Sequence, residues 1–288
     1  MPAHSPSELA SWVQSIIRDF INTSKENRMW ENKAEKTWDD PLIGFSRGDD
    51  PLFASFKEHV GPFHWTPSEI FNQSFPDGSA SPDELTVISW ILPINEPTKI
   101  DNRKETVFPS ERWARARTYG EVINEKLREH VVRVLQAQGH DAVAPTLAPG
   151  FTWQNSPTYG FASNWSERHA AFVSGLGTFG LCDGLITPVG KAMRTGSVVA
   201  RIQVPPTPRP YNSHRDYCLF FSSGACRKCA SRCPVGAITE AGHDKVKCFE
   251  YVFKTAIPHI KSHYGFDGYS CGLCQTGVPC ESRIPVKE

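Results

Sequence analysis

Cys226-Arg-Lys-Cys229-Ala-Ser-Arg-Cys233-Pro234 reads C-x2-C-x3-C-P, and a second run, Cys271-Gly-Leu-Cys274-Gln-Thr-Gly-Val-Pro-Cys280, follows it. With Cys218 and Cys248 ahead of the two runs, eight of the nine cysteines fall after Tyr217. A four-iron, four-sulfur cubane takes four thiolates, and a C-x2-C turn presents two of them on one small loop. Eight thiolates match two such [4Fe-4S] clusters, so the spacing describes a redox device.

Where two clusters are held this way, the cysteine before proline reaches across to the other one. That crossing groups Cys218, Cys226, Cys229 and Cys280 around one cluster and Cys233, Cys248, Cys271 and Cys274 around the other. Two departures stand out. Cys218 lies further ahead of Cys226 than the usual spacing, so Ser223 occupies the expected position, and Cys280 is followed by Glu281 rather than proline. Either a longer loop still delivers the thiolate, or one cluster is a three-iron type or takes a non-cysteine ligand. Zinc is the competing metal, but it leaves Cys218, Cys233, Cys248 and Cys280 idle. A disulfide framework suits secreted chains. Cys182 stands apart from the runs in an apolar neighbourhood and reads as a small core residue.

The bulk composition narrows the setting. At 288 residues, 39% hydrophobic, with eight Trp and seventeen Phe, the chain can fill one large core or two. Lys+Arg and Asp+Glu are both 31, so no basic excess attracts a polyanion and nucleic acid is not an expected partner. The first residues, Met-Pro-Ala-His-Ser-Pro, carry no cationic start, apolar core or twin arginine, and no run of apolar residues is long enough for a membrane span. A cytoplasmic protein without a membrane partner is the expectation.

Ser5, Pro6 and Glu8 form a helix start, after which Leu9, Trp12, Val13, Ile16, Ile17, Phe20 and Ile21 recur at helical steps. A loop-rich stretch to about Asp83 follows, with aromatics (Phe53, Phe56, Phe63, Trp65, Phe71, Phe75) that argue for packing. Residues 85–92 read as a buried strand, and residues 110–138 as a long helix with Val122, Ile123, Leu127, Val131, Val134 and Leu135 on one side and Gly139 as its C-cap. Short strands are predicted at 142–147, 185–186 and 197–204, and a short helix at 164–174. This alternation predicts a mixed α/β or α+β domain. Four prolines between Pro205 and Pro210 act as a stiff connector, dividing the chain near Pro206 into residues 1–205 and 206–288.

Gly175-Leu-Gly177-Thr-Phe-Gly180 matches G-x-G-x-x-G, but the nicotinamide fingerprint follows a strand and opens a helix. Here a helical segment leads in, a strand-like one leads out, and no acid lies within 195–202. The glycines mark a close backbone approach. A tight helix-to-strand turn and a cofactor cradle explain that equally well.

The segment Ser166-Glu-Arg-His-Ala-Ala-Phe-Val-Ser-Gly-Leu-Gly-Thr-Phe-Gly-Leu-Cys-Asp-Gly-Leu-Ile-Thr-Pro-Val-Gly190, together with the order of the later cysteines, resembles the corrinoid-dependent epoxyqueuosine reductases and reductive dehalogenases. The resemblance covers roughly residues 160–288 and implies an α+β architecture: a nitroreductase-like, flavin-free α/β domain binding base-off cobalamin, then a two-cluster ferredoxin-like domain. It places Gly175, Leu176, Gly177, Thr178, Phe179 and Gly180 against the corrin. The implied activity is an iron–sulfur oxidoreductase. It takes electrons from a reduced ferredoxin or flavodoxin-type donor and passes them through cobalamin to a small organic substrate. The alternative is a ferredoxin-like carrier that docks a partner and binds no corrinoid.

The aspartate that epoxyqueuosine reductases carry ahead of their Gly-Leu-Gly is missing here: no acid lies between Gly150 and Ser166, which argues against a tRNA epoxyqueuosine substrate. Tyr159 is the candidate phenolic donor and His169 the candidate proton shuttle, each with a structural reading as well: a buried aromatic with a paired hydroxyl, and a helix histidine. Glu167 reads as a helix-capping residue. Trp153, Tyr159 and Trp165 wall an apolar pocket or belong to the core.

Overall fold

The computed structural model describes residues 5–30 and 34–286. Helix α1 (Pro6–Thr23) starts in the expected capping box, with Glu8 N–H donating to the Ser5 hydroxyl at 3.3 Å and Ser5 N–H to the Glu8 carboxylate at 2.8 Å. The aromatic stretch after it holds β1 (Leu42–Arg47), α2 (Pro51–His59) and α3 (Pro67–Ser74). Both short helices open on a capping side chain followed by proline, Asp50-Pro51 and Thr66-Pro67. Such punctuation reads as turns until tertiary burial of Phe53, Phe56, Ile70 and Phe71 makes it helical.

Strand β2 (Thr86–Pro93) is buried along its whole length, as the run predicts. After it come α4 (Glu96–Lys104), α5 (Glu111–Ala137) and β3 (Ala142–Val143). A ribbon of β4 (Trp153–Ser156) and β5 (Gly160–Ser163) leads to α6 (Glu167–Val173). The glycine segment then forms β6 (Thr178–Phe179), which pairs with β7 (Leu185–Ile186), and β8 (Met193–Ala200) follows.

The central sheet runs β1-β2-β8-β3, antiparallel throughout. Alternation sends Ile88, Trp90, Leu92, Val198 and Ala200 to the face covered by α1 and α5, and Val87, Ile91 and Val199 to the face covered by α2, α3 and α6. The result is an α/β/α sandwich. Strand β8 begins four residues earlier than expected because its polar start, Arg194-Thr195-Gly196, pairs with the apolar end of β2. On α5, Val122 is 46% exposed, while Asn124 and Arg128 take the buried side. Asn124 belongs there because its amide oxygen accepts from the Trp90 indole at 2.9 Å.

The proline stretch is tied down. Thr207 exchanges hydrogen bonds with the Phe45 backbone on edge strand β1, at 2.9 Å in both directions, and Arg209 pairs with Asp50. Prolines without N–H groups suit a sheet edge, where they stop further pairing. Beyond it lie α7 (Leu219–Ser223), α8 (Lys228–Ser231), the ribbon β9 (Ile238–Thr239) with β10 (Gly242–His243), and α9 (Lys245–Tyr251). Helix α9 continues through wider π-type turns to Tyr264, and Gly265 ends it in the left-handed region. Among the described residues no helix is long and apolar enough to cross a membrane.

Gly196 of β8 faces Trp90, and a Cβ there would stand 2.5 Å from the indole ring. Gly196→Ala is therefore expected to cost about 1–3 kcal/mol in urea or thermal unfolding. Gly78→Ala, where a Cβ meets nothing within 4 Å, should leave the transition in place.

Candidate redox site

Cys218 sits at the cap of α7, Cys226 follows the left-handed Gly224, and Cys229 is buried on α8. These three and Cys280 line one pocket with Gly180, Leu181, Ile186 and Lys191, around about 330 Å³ of non-protein space. Of the other four, Cys271 is pushed up to about 12 by burial, with Cys248 and Cys233 adding to the effect from close by, and Cys271 in turn acts on Cys274. Cys233 Sγ accepts the Ala237 N–H at 3.2 Å, the hydrogen bond that a cluster thiolate takes. Among the described residues no three His, Cys, Asp or Glu side chains converge tightly enough for a single metal ion. Four thiols around one pocket are the donor set of an iron–sulfur cluster.

Cys182 is buried in an apolar cluster, as expected of a core residue, but that cluster contains the cysteines. It packs there with Cys218 and Cys229, and Cys233, Cys274 and Cys280 lie against the same cluster. Lys191, also buried, donates from Nζ to Cys182 Sγ at 3.3 Å. Burial works against its charge, and Cys182, Cys280, Cys274 and Cys229 outweigh that and hold Lys191 well above its ordinary value. Neither Cys182 nor Lys191 carries a spacing signature, so the sequence offers no reason to join them to the cysteine runs.

The two cysteine runs dock on α4. Arg232, between Cys229 and Cys233, donates to the carbonyls of Leu273 (3.2 Å) and Thr276 (3.0 Å) and to those of Asn102, Arg103 and Glu105. Asn102 donates to Thr276 Oγ1 at 3.0 Å, Arg103 pairs with the buried Glu281, and Lys99 reaches Ser282 at 2.9 Å.

Beside Cys248 lies a polar group. Asp183 has φ 57°, a left-handed conformation uncommon for a residue with a side chain. Its carboxylate meets His243 Nδ1 at 3.2 Å. Burial lowers the basicity of His243, while the bond to Asp183 and the influence of Cys248 overcome this and lift it to about 9. Tyr159 is half-buried with Lys245 Nζ 4.4 Å from its ring centroid. Burial, then Asp183, raises its phenol, so it holds its proton at neutral pH.

His169 takes a different place. Its Nδ1 lies 2.7 Å from Ser166 Oγ, and its ring is set among Phe56, Phe179 and His64 at 4.5, 4.9 and 6.0 Å. Burial, then His64 and Arg168, pushes it well below the ordinary imidazole value, so it is neutral at pH 7. Trp165 is core, whereas Trp153 is 63% exposed against Phe161. The glycines bring the chain against itself. Gly175, at φ 77°, lies under Pro208, whose carbonyl would stand 2.5 Å from a Cβ, and a Cβ on Gly177 would land on the Ile186 carbonyl. Gly175 and Gly177 therefore serve the helix-to-strand turn between α6 and β6.

Glu167 corrects its sequence reading. Ser166 caps α6, and the Glu167 carboxylate instead accepts from Arg128 at 3.1 Å and from the Ser197 hydroxyl. Arg128 also meets Glu121, which holds Arg194 at 2.5 Å and Arg117 at 3.5 Å. Burial works to raise Glu121, and Arg194, Arg128 and Arg117 overcome it and hold the carboxyl well below the ordinary range.

No family model and no curated protein matches the chain. Solved structures do match it in fold. A catabolic reductive dehalogenase superposes at TM-score 0.53 with 14% identity, over 97% of this chain and 38% of its own. A reductive dehalogenase described with a mechanism for B12-dependent dehalogenation gives TM-score 0.51, also at 14% identity and the same coverages. An epoxyqueuosine reductase in complex with an epoxyqueuosine-modified tRNA-Tyr stem loop gives TM-score 0.51 and 18% identity, over 97% of this chain and 66% of its own. The chain thus shares the fold of epoxyqueuosine reductases and reductive dehalogenases while spanning 66% and 38% of these structures' own lengths, respectively.

Glu121→Gln is expected to cost about 3–5 kcal/mol at neutral pH, because it strands buried guanidinium charge. The depressed Glu121 pKa means that its stabilisation is full above the ordinary carboxylate range and is lost as pH falls through that range toward the folded value. Urea unfolding between pH 7 and pH 3 should therefore show a shallower acid decline in the variant than in the wild type.

Proposed function

We propose that the protein is an iron–sulfur reductase whose two clusters deliver electrons to a small organic substrate beside Tyr159, Lys245 and Asp183. The observation that supports it is the convergence of Cys218, Cys226, Cys229 and Cys280, from separate stretches of chain, on one pocket, with Cys182, Cys233 and Cys274 in the cluster behind it. Cys218, Cys226, Cys229 and Cys280 would hold one [4Fe-4S] cluster, and Cys233, Cys248, Cys271 and Cys274 the other. When bound, each supplies a one-electron couple at low potential.

The chain's own residues do the rest. Tyr159 keeps a proton on its phenol and is the candidate donor to the reduced product, with Lys245 over its ring to favour the anion left behind. His243 anchors Asp183 next to Cys248, tying the proton-bearing group to the second set of thiols. His169, neutral, belongs to the separate aromatic cluster of Phe56, His64 and Phe179.

Cobalamin is the finer part of the expectation. A protein of this fold is described with B12-dependent chemistry; here Gly175, Leu176, Gly177, Thr178, Phe179 and Gly180 would face the corrin, and no step is routed through it. The substrate is taken to be a small molecule and the donor a reduced ferredoxin or flavodoxin-type protein. Nucleic acid is not proposed, given the balanced charge and the acid-free stretch before Ser166.

Anaerobically prepared protein should hold about eight irons and eight sulfides and bleach on reduction. Cys226→Ala and Cys233→Ala should each cost about half the iron, and the two losses should come from different clusters by EPR. Zinc in place of iron overturns the proposal. Added hydroxocobalamin tests the finer part, which a base-off spectrum would establish and an unchanged one would remove.

A further inference from the structure

Lys191 is a buried ammonium that no carboxylate attends. It is 3% exposed, and the groups that act most on its charge are the sulfurs of Cys182, Cys280, Cys274 and Cys229. A buried cation is costly unless something negative faces it, and the group facing this one is sulfur. Its Nζ donates to Cys182 at 3.3 Å, and its side chain lines the pocket of the first thiol group together with Cys280.

The residue is also held in register with that pocket. Its backbone N–H donates to the carbonyls of Cys280 at 2.9 Å and Glu281 at 3.1 Å, so the ammonium and the Cys280 thiol are anchored at the same point of the chain. On its other side, Cys182 packs in the buried cluster that holds Cys218 and Cys229, with Cys233, Cys274 and Cys280 against it. The ammonium lines the pocket of the first group.

Resting on the iron–sulfur reading above, we propose that Lys191 is a positioning residue that sets the redox order of the two clusters. Its ammonium, steadied by Cys182, raises the reduction potential of the cluster on Cys218, Cys226, Cys229 and Cys280 above that of its neighbour. A cubane with four thiolate ligands is anionic, and one-electron reduction adds one more negative charge while Lys191 keeps its proton. A fixed positive charge in a low-dielectric site favours the more negative state, and net charge and hydrogen bonds to sulfur are the protein's levers on such potentials. Electrons reaching either cluster would settle first on the one beside Lys191.

The test compares wild type with Lys191→Met, Lys191→Arg and Cys182→Ala, all prepared anaerobically. Iron and sulfide are counted, and each protein is titrated with dithionite and mediators while the reduced clusters are followed by EPR. Lys191→Met should keep its iron and move one reduction step to lower potential, the other moving less, and Lys191→Arg should bring that step back. Cys182→Ala should also keep its iron, since Cys182 is a partner and not a ligand.

Full iron in Lys191→Met with both steps at wild-type potential overturns the inference while leaving the cluster reading intact. Loss of about half the iron in Cys182→Ala would make Cys182 a ligand and also overturn it. If Lys191→Met sheds iron, Lys191→Arg decides: iron retained at the wild-type potential supports the charge role, and iron lost there too makes Lys191 structural. A wild-type chain without iron defeats the cluster reading, and this inference with it.

Discussion

One guanidinium holds the sulfur-rich part of the molecule to the sheet. Arg232 lies inside the turn that presents Cys229 and Cys233, and from there it satisfies five main-chain carbonyls, two on the second cysteine run and three on α4 and its exit. Hydrogen bonds from a charged donor are worth about 1.5–3 kcal/mol each, and carbonyls left without a donor carry a penalty of their own. The turn that presents two thiols thus also clamps the run that presents three more. Nearby, Gly272 stands so close to the Trp113 indole that no side chain fits there. Loops that would be loose as peptides become a rigid frame for sulfur.

The molecule buries charge in two contrasting ways. Between α5 and β8, Arg128, Arg194 and Arg117 share Glu121, and Arg128 also takes Glu167; the network is satisfied from within the chain and welds a helix to the central sheet. Beside the thiols, Lys191 has sulfur in place of carboxylate. A closed network serves the fold, whereas an ammonium facing sulfur leaves the thiol pocket positively lined. The phenol of Tyr159 meets Lys245 of α9, the helix that carries Cys248, and Asp183 meets His243 just before it.

Much of the frame was legible because it is written locally. The Ser5–Glu8 box, the helical period of α5 and the apolar run of β2 each carry their signal within a few turns of chain. The misses share a cause. Strand β8 begins with Arg194-Thr195-Gly196, a polar triplet that becomes strand because β2 offers it partners. Glu167 reads as a cap by position and becomes a buried ion-pair partner because Arg128, far away in sequence, points at it. The glycine turn has the letters of a cofactor motif but spends its close approach on Ile186 and Pro208.

Sequence alone determined that eight thiols, six of them in two spaced runs, suit iron and that a mixed helix-and-sheet domain precedes them, because spacing and periodicity are properties of neighbours along the chain. Only the tertiary structure decided that Cys182, Asp183 and Lys191, all from the segment after the glycines, stand among those thiols. Contacts between residues so far apart arise when sheet, linker and α4 close on one another, and no local pattern records them.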